Sequence, residues 1–450
     1  MNYPPKHRAA SPSFPLAFPP YPIPAVRLSR RRALPLLALA ATTPFFIRTA
    51  TSADAPQPPL ESFDHEMREF MTAREIPGGA LAIVRNRKLI YARGYGRADR
   101  DSPAPVAPDS LFRIASISKP FTAVAILKLV EQGKLNLDDH ALARLPLKPF
   151  LAADANADER LAQITVRQLL HHTAGWDREK SYDPMFRAKQ IARDLGVAPP
   201  ASARDVIRHH LGQPLDFAPG TRYAYSNFGY CVLGRLLEEL SGESYEAFTR
   251  RAVLTPAGIR KMRLGKSLLA DRAESEVRYH TPDNARGESV FTRENTRVPL
   301  PYGGFALEAM DAHGGWLASI VDLARFAAAL DESAPQPLLA RDAWRTLHEP
   351  PPAPVSRKDD GSLKPFYYAC GWMARPVGDT GKANYWHAGS LPGGHSLLVR
   401  RWDGISWAVL FNQRSNHSEK PDSAIDPALH RAAAAVKAWP TEDLFPRFDA

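Results

Sequence analysis

The segment RIASISKPFTAVAILKLV, Arg113 to Val130, is the most informative stretch of this chain for its fold. Its second half is apolar at nearly every position and Gly133 follows it, which predicts a helix that is buried on most sides. Ser116 and Lys119 stand three residues apart near the start of the segment, so they share one helix face and lie side by side. Pro120 is compatible with this position, because a proline near a helix start removes few backbone hydrogen bonds. The segment therefore predicts a buried helix with a serine-lysine pair in its first turn.

The chemical value of such a pair depends on the protonation state of the lysine. A free lysine with a pKa of about 10.4 is neutral in only roughly one molecule in 2,500 at pH 7, whereas burial that lowers a lysine pKa to about 7.5 makes about a quarter of the molecules neutral. A neutral amine can accept the serine proton, and serine-lysine pairs are a recognised way to activate a nucleophile. The structural alternative is that Ser116 caps the helix while Lys119 extends to water. No other Ser-x-x-Lys occurs in the chain, but this segment alone leaves both interpretations open.

Composition and charge restrict the class of protein. The chain has 450 residues, 44% of them hydrophobic, which is enough for one large catalytic unit or two lobes. Its formal net charge is +10, and residues 1–55 contribute +6 of this through seven basic residues and Asp54. The remaining charge is weak and scattered, without interleaved basic and aromatic residues. Nucleic acid is therefore not an expected partner.

The N-terminal residues 1–55 resemble a twin-arginine export signal. Three arginines precede an apolar stretch in SRRRALPLLALAATTPFFI, and Ala53 and Ala55 have the spacing of a small-residue cleavage site. The alternative is a retained membrane anchor, but the stretch is short and is broken by prolines. We expect cleavage near Ala55, no stable membrane span afterwards, and a periplasmic or secreted location.

Cysteines and histidines give no indication of a metal site or cofactor. Cys231 and Cys370 both lie in apolar stretches, so buried free thiols are expected rather than a disulfide. The adjacent histidines at 171–172 and 209–210 point in different directions on a helix and make poor shared ligands. No cysteine spacing of the metal-binding type is present. We expect these histidines in the core or at the surface.

Strand patterns occur near both ends of the chain, and helical patterns lie between them. Residues 78–96, GGALAIVRNRKLIYARGYG, predict two strands around the turn Asn86-Arg87. Thr165 is a plausible N-cap and Gly242 a plausible helix end in the middle of the chain. Strands return in NYWHAG, HSLLVRRW and ISWAVLFNQ, followed by a helix around Pro427 to Ala438.

This order predicts one sheet made from both ends of the chain, with a helical lobe inserted between them. A cleft at the junction of the two lobes is a common place for a ligand. We expect a single domain at 56–450, with a sheet lobe at about 56–115 and 300–450 and a helical lobe at about 116–299. Oligomeric state is left open.

Two further motifs could contribute to the same cleft. RYAYSNFGY presents Tyr225 and Asn227 at a loop-to-helix junction, although a packed tyrosine and an N-cap asparagine would give the same pattern. YWHAGSLPGGHSLLVR begins with His387 at a strand end, and Gly389 there allows close approach of a ligand. The amide of the following Ser390, together with an amide at the start of the helix, could stabilise an oxyanion.

Taken together, the three motifs strongly resemble the serine β-lactamase and penicillin-binding-protein superfamily, in its class C-like branch with family VIII-type esterases, D-aminopeptidases and D,D-peptidases. The motifs are Ser116-x-x-Lys119, Tyr225-x-Asn227 and His387-x-Gly389, in that order. The resemblance runs from about Gly78 to Gln413 and includes ITVRQLLHHTAGW and HGGWLASIVDLARF. It implies an α/β (α+β) fold with an antiparallel sheet built from both ends of the chain, flanked by helices, and an inserted, mostly helical lobe.

The resemblance also implies roles for individual residues. Ser116 would be the nucleophile and the acylated residue, and Lys119 would activate it while sharing protons with Tyr225; which of the two is the base stays open. Asn227 would orient Lys119 or bind a substrate carbonyl. The implied catalytic residues are Ser116, Lys119 and Tyr225, the implied substrate-binding residues are Asn227, His387, Gly389 and Ser390, and the oxyanion donors are the amides of Ser116 and Ser390.

One departure from the superfamily bears on the substrate. Many members carry a threonine hydroxyl in the third motif that helps to hold a substrate carboxylate, and this chain has Ala388 instead. Ester or amide substrates, small or peptide-like, are therefore expected. The alternatives are a β-lactamase, a D,D-carboxypeptidase and a penicillin-binding-like sensor without turnover. An α/β-hydrolase is disfavoured because Gly-x-Ser-x-Gly is absent.

Overall fold

The computed structural model describes residues 60–449 except 154, 379 and 415–420. The export signal predicted at 1–55 lies outside these residues. The described strands are β1 (Gly78–Arg85), β2 (Lys88–Gly96), β3 (Phe112–Arg113), β4 (Arg263–Leu264), β5 (Arg286–Glu288), β6 (Arg297–Pro299), β7 (Trp316–Ala318), β8 (Tyr367–Tyr368), β9 (Met373–Pro376), β10 (Ala383–Leu391), β11 (Gly394–Arg400) and β12 (Ile405–Phe411).

Strands from both ends of the chain form one seven-stranded antiparallel sheet, in the order β2-β1-β12-β11-β10-β9-β8. The predicted β1–β2 hairpin is confirmed, and its turn residues Asn86 and Arg87 have φ values of 49° and 67°, as a two-residue turn between twisted strands requires. The last strand pairs with the first, with Gly79 opposite Phe411. The prediction of a sheet built from both ends of the chain is therefore confirmed.

Helices lie on both faces of the sheet. Thr165 caps its helix through a capping box, and Gly242 ends another with φ 73°, as predicted. The start predicted for the last helix, around Pro427, was wrong, because that helix begins at Pro421, where a missing N–H costs little. The described helices are α1 (Glu61–Ala73), α2 (Ser118–Glu131), α3 (Val166–Leu170), α4 (Ala188–Leu195), α5 (Ala203–His210), α6 (Asn227–Ser241), α7 (Tyr245–Thr249), α8 (Asp311–Gly314), α9 (Ile320–Ala329), α10 (Arg341–His348) and α11 (Pro421–Ala435).

The sheet separates two hydrophobic cores because successive side chains of a strand point to opposite faces. In β1, Leu81 and Ile83 join the core beneath α1 and α11, whereas Ala80 and Ala82 join the larger core on the other face. The larger core also contains α2, α6 and α9. Burying one large apolar side chain contributes roughly 1.5–3 kcal/mol, so these cores hold the sheet and the helices in fixed positions.

Helix α2 runs through the larger core and is buried at nearly every position, including Lys119. It packs against α6 and α8, so the first turns of α2 and α6 lie close together. Cys231 and Cys370 are free and buried, as predicted. Within the described residues, no helix combines the length and the apolar character that a bilayer crossing needs.

Candidate active site

Ser116 lies in a short 3-10 turn, Ala115–Ile117, that leads directly into α2. Ala115 has φ 47°, a conformation that residues with a side chain adopt at a cost of about 1–3 kcal/mol. Strand β10 passes so close that a Cβ on Gly389 would lie 2.2 Å from the Ile114 carbonyl oxygen and 3.1 Å from Ala115 Cβ. Only glycine leaves room for this approach, so Gly389 lets the strand lie directly against the serine turn.

Lys119 is fully buried, and its Nζ has three neighbours within hydrogen-bond distance. It lies 2.7 Å from Asn227 Oδ1, 3.0 Å from the His313 carbonyl oxygen and 3.1 Å from Ser116 Oγ. Burial lowers the pKa of Lys119 well below its usual value, although Asp183 opposes this shift. In the neutral amine, two N–H groups donate to the amide and carbonyl oxygens, and the lone pair faces the serine hydroxyl. The alternative in which Lys119 extends to water is excluded.

The orientation of Asn227 is fixed from its other end. Asn227 is the first residue of α6, and its N-cap is Ser226, whose hydroxyl accepts from Gly229 N. The amide nitrogen of Asn227 donates to Asp183 Oδ2 at 2.6 Å, which turns the amide oxygen toward Lys119. Asp183 belongs to a loop that the sequence did not indicate, so this contact was not anticipated.

The ring of Tyr225 lies beside the serine-lysine pair. Lys119 Nζ lies 4.8 Å from the centre of its ring, and the Arg178 guanidinium also lies 4.8 Å from it. Burial raises the pKa of the Tyr225 phenol, while the neighbouring Ser116 hydroxyl and Arg178 act in the opposite direction. Tyr225 is therefore a neutral phenol at neutral pH.

His387, on β10, is a neutral imidazole with both ring nitrogens in hydrogen bonds. Its Nδ1 lies 2.7 Å from the Ala388 carbonyl oxygen, which can only accept, so Nδ1 carries the proton. Nε2 then accepts a hydrogen bond from the Tyr368 hydroxyl at 3.0 Å. Burial, helped by Lys119, lowers the pKa of His387 to about 3. The structure thus places His387 near Tyr225, with ring centres 6.3 Å apart, but with both nitrogens already bonded.

His172 packs among the tyrosines behind the site. Its ring centre lies 4.4 Å from that of Tyr225 and 4.3 Å from that of Tyr368. Its Nδ1 accepts a hydrogen bond from Ser226 N at 3.2 Å, so Nε2 carries the proton, and this buried Nε2 has no partner among the described residues. The sequence predicted a histidine of the core or surface, and His172 is in the core. Its contact with Tyr225 and Tyr368 was not anticipated from the sequence.

Among the described residues, no strand pairs with the edge of β10 beside the serine turn. Strand β9 pairs only with Ala383–Trp386, so the outer side of Gly389 and Ser390 has no strand partner in the described part of the chain. Ser390 is exposed, and its hydroxyl lies 3.5 Å from Arg414 Nη1. Burial lowers the pKa of Arg414, and this cation was not predicted from the third motif.

Comparisons with known proteins place these features in a family. The family described as Beta-lactamase matches residues 63–431. Esterase EstB from Burkholderia gladioli is 30% identical over 373 residues, which cover 78% of this chain and 88% of that protein. The octameric penicillin-binding protein homologue from Pyrococcus abyssi has a TM-score of 0.62 at 25% identity, covering 85% of this chain and 78% of that one. The D-amino acid amidase from Ochrobactrum anthropi SV3 has the same fold, with a TM-score of 0.63 at 20% identity, covering 84% of this chain and 98% of that one.

Proposed function

Because the chain belongs to the beta-lactamase family and is a hydrolase of the beta-lactamase fold, we propose that it cleaves esters or amides through an acyl-enzyme on Ser116. One observation carries this proposal. Lys119 is fully buried 3.1 Å from Ser116 Oγ, and two other oxygens accept its N–H groups. Such an arrangement supplies a neutral base to a serine hydroxyl.

In the acylation step, Ser116 Oγ attacks the acyl carbonyl carbon as its proton passes to Lys119 Nζ. The tetrahedral oxyanion is stabilised by the amides of Ser116 and Ser390 at the open edge of β10. Collapse of this intermediate breaks the bond to the alcohol or amine, which leaves with a proton returned from Lys119 through Tyr225. Water then attacks the acyl-enzyme by the same proton route and releases the acid.

The two candidate bases differ in the direction of their pKa shifts. The lowered pKa of Lys119 makes the amine available as a base near neutral pH, whereas the raised pKa of Tyr225 keeps the phenol protonated. These directions favour Lys119 as the base and Tyr225 as a proton donor to the leaving group. His387, with both nitrogens bonded, would hold Tyr368 and β10 in place.

The test of the nucleophile is Ser116→Ala together with covalent labelling. The variant should lose turnover of p-nitrophenyl butyrate by on the order of 10⁴-fold or more, and a fluorophosphonate should label the peptide that holds Ser116 in the native protein. Ser118→Ala is the matched control, because that hydroxyl is buried beside Trp316 N instead. Labelling of another residue, with activity kept in Ser116→Ala, would contradict the assignment. Acylation without further turnover would favour the sensor.

The preferred acyl group is the second part of the proposal. Ala388 offers no hydroxyl to a substrate carboxylate, and a charge-assisted hydrogen bond is worth roughly 1.5–3 kcal/mol, or about 10- to 150-fold. We expect a higher kcat/KM for p-nitrophenyl butyrate than for a cephalosporin. Ala388→Thr should raise kcat/KM for the cephalosporin relative to that for p-nitrophenyl butyrate, and Arg414→Gln should lower it further. A wild type that prefers the cephalosporin would place the chain nearer to the true β-lactamases.

Export through a twin-arginine signal remains part of the proposal. The three arginines at 30–32 precede the apolar stretch. Replacing all three with lysine should keep the protein in the cytoplasm, while the N-terminal sequence of the exported wild type should begin near Ala55. An exported triple-lysine variant would contradict this prediction.

A further inference from the structure

A cavity of about 540 Å³ lies between α4 and the β5–β6 hairpin. This volume is within the range of small-molecule sites, about 300–1,000 Å³. Its lining includes the apolar side chains of Phe186, Val197 and Val290 and the cationic side chains of Arg187, Arg193 and Arg293. We call it the basic cavity.

Most of the positive charge of the basic cavity has no carboxylate partner among the described residues. Within the described residues, Arg187, Arg193 and Arg293 have no carboxylate within 4 Å; Arg193 donates only to the Gln190 side chain. Glu288 is the one carboxylate that lines the cavity in the described part of the chain, and it lies 3.6 Å from Lys189 Nζ. Three arginines therefore line one cavity without a counter-ion among the described residues.

The walls of the basic cavity are connected to each other. Lys189 Nζ, on α4, donates to the Glu294 carbonyl oxygen at 2.8 Å and to Asn295 Oδ1 at 3.1 Å, in the loop of the β5–β6 hairpin. This lysine therefore joins the helix to the hairpin, whereas the three arginines make no such connection within the described part of the chain. The cavity is preformed, which lowers the ordering cost of binding.

The basic cavity and the serine site share one short turn. Asp183 accepts from Asn227 Nδ2, and Phe186, three residues later, lines the cavity with its ring centre 6.2 Å from that of Phe305. A ligand in the cavity would therefore touch the turn that orients the amide partner of Lys119. We propose that the basic cavity binds an organic anion with an apolar body, at a site separate from Ser116, and that its occupancy changes turnover through the Asp183–Phe186 turn.

Binding can be measured without any enzymatic activity. The fluorescence of 1-anilinonaphthalene-8-sulfonate should rise on titration of the native protein, and octanoate should displace the probe at least about 5-fold better than octanol, which lacks the charge. Raising the salt concentration should weaken probe binding, because exposed charges are screened.

The variants for this test are Arg193→Glu and Arg293→Glu, both at exposed positions. Each should weaken probe binding about 5- to 10-fold, since an attraction becomes a repulsion. Arg345→Glu is the matched control, because that arginine is also exposed and does not line the cavity. Equal loss in all three variants, or no loss in the first two, would overturn the proposal.

Two further measurements separate this site from the proposed active site. Probe binding should be unchanged in Ser116→Ala and in protein labelled by the fluorophosphonate; displacement of the probe by labelling would place the anion in the serine cleft and overturn the proposal. Octanoate should change kcat for p-nitrophenyl butyrate in the wild type and not in Arg293→Glu. If Ser116 is not the nucleophile, the fluorophosphonate label lies elsewhere and activity is kept in Ser116→Ala, but the probe titration of the arginine variants is unaffected, so the two proposals can fail independently.

Discussion

Exchanging the carboxylate and the amide at positions 183 and 227 tests the role of Lys119 directly. The double variant Asp183→Asn, Asn227→Asp keeps the net charge and keeps an amide bonded to a carboxylate across the same 2.6 Å contact. It also brings the negative charge to the position whose oxygen lies 2.7 Å from Lys119 Nζ. The double variant therefore changes mainly the pKa of Lys119.

The size of the effect follows from electrostatics. Two unit charges at the 2.7 Å separation of Nζ and Oδ1 attract by on the order of 6 kcal/mol at an effective dielectric constant of 20, an upper limit. Opposite charges at such distances favour the charged form in proteins by about 1–3 pH units. The pKa of Lys119 should rise, so less neutral amine is present at a given pH. We expect the rising limb of kcat/KM to move to higher pH by about 1–3 units, and the activity on that limb to fall by up to about 10- to 1,000-fold at a given pH.

The assay is the pH dependence of kcat/KM for p-nitrophenyl butyrate between pH 5 and 10. Asp183→Asn alone is the control of opposite sign, because Asp183 raises the pKa of Lys119 in the native protein; its removal should move the limb to lower pH. Thermal melting checks that both variants fold. A limb that stays in place in both variants would refute the assignment of Lys119 as the titrating base.

Three other changes have defined outcomes. Tyr368→Phe removes the donor to His387 Nε2 and should lower the free energy of unfolding by about 1–3 kcal/mol, because it leaves a buried acceptor unpaired. The rising limb of kcat/KM should stay in place; melting and kinetics on the same sample check both. Lys119→Met should abolish turnover yet raise the free energy of unfolding at pH 7. A buried lysine with a lowered pKa destabilises the fold, and this cost disappears only as pH rises toward about 10.4. Urea unfolding at pH 7 and pH 10 should therefore show a stability gain that is smaller at pH 10. Gly389→Ala would place a Cβ 2.2 Å from the Ile114 carbonyl oxygen and should lower kcat/KM by about 100-fold or more. A circular dichroism spectrum like that of the wild type would show that this loss is not caused by unfolding.

The parts of the site that follow regular elements could be predicted from the sequence. Ser116 and Lys119 are paired by helical spacing, and the β1–β2 hairpin follows from its turn residues and alternating pattern. The sheet built from both chain ends was also predicted, because strand patterns at the two ends have no other partners to pair with.

The parts that depend on loops and on long-range packing could not be predicted. Asp183 lies in a loop without periodicity, and its role exists only because α6 begins opposite it. Tyr368 and His172 are ordinary core aromatics in the sequence. Their hydrogen bonds and ring contacts arise when β8 and the turn after α3 meet behind the tyrosine of the second motif. The carbonyl of His313 carries no sequence signal at all, since every residue has one.

The pairing of β1 with β12 has a consequence for how the protein folds. Gly78 N donates to Asn412 Oδ1 across 334 positions of the chain, and among the described strands only β12 pairs with β1 on that side of the sheet. Folding slows as contacts become more distant along the chain, because loop closure precedes the gain from pairing. During synthesis, a nascent chain that stops short of Ile405 would carry the serine-lysine helix but expose one whole edge of β1. We therefore expect the sheet to close only after the last strand has left the ribosome, so that C-terminal truncations before that strand give aggregation-prone chains instead of partly active ones.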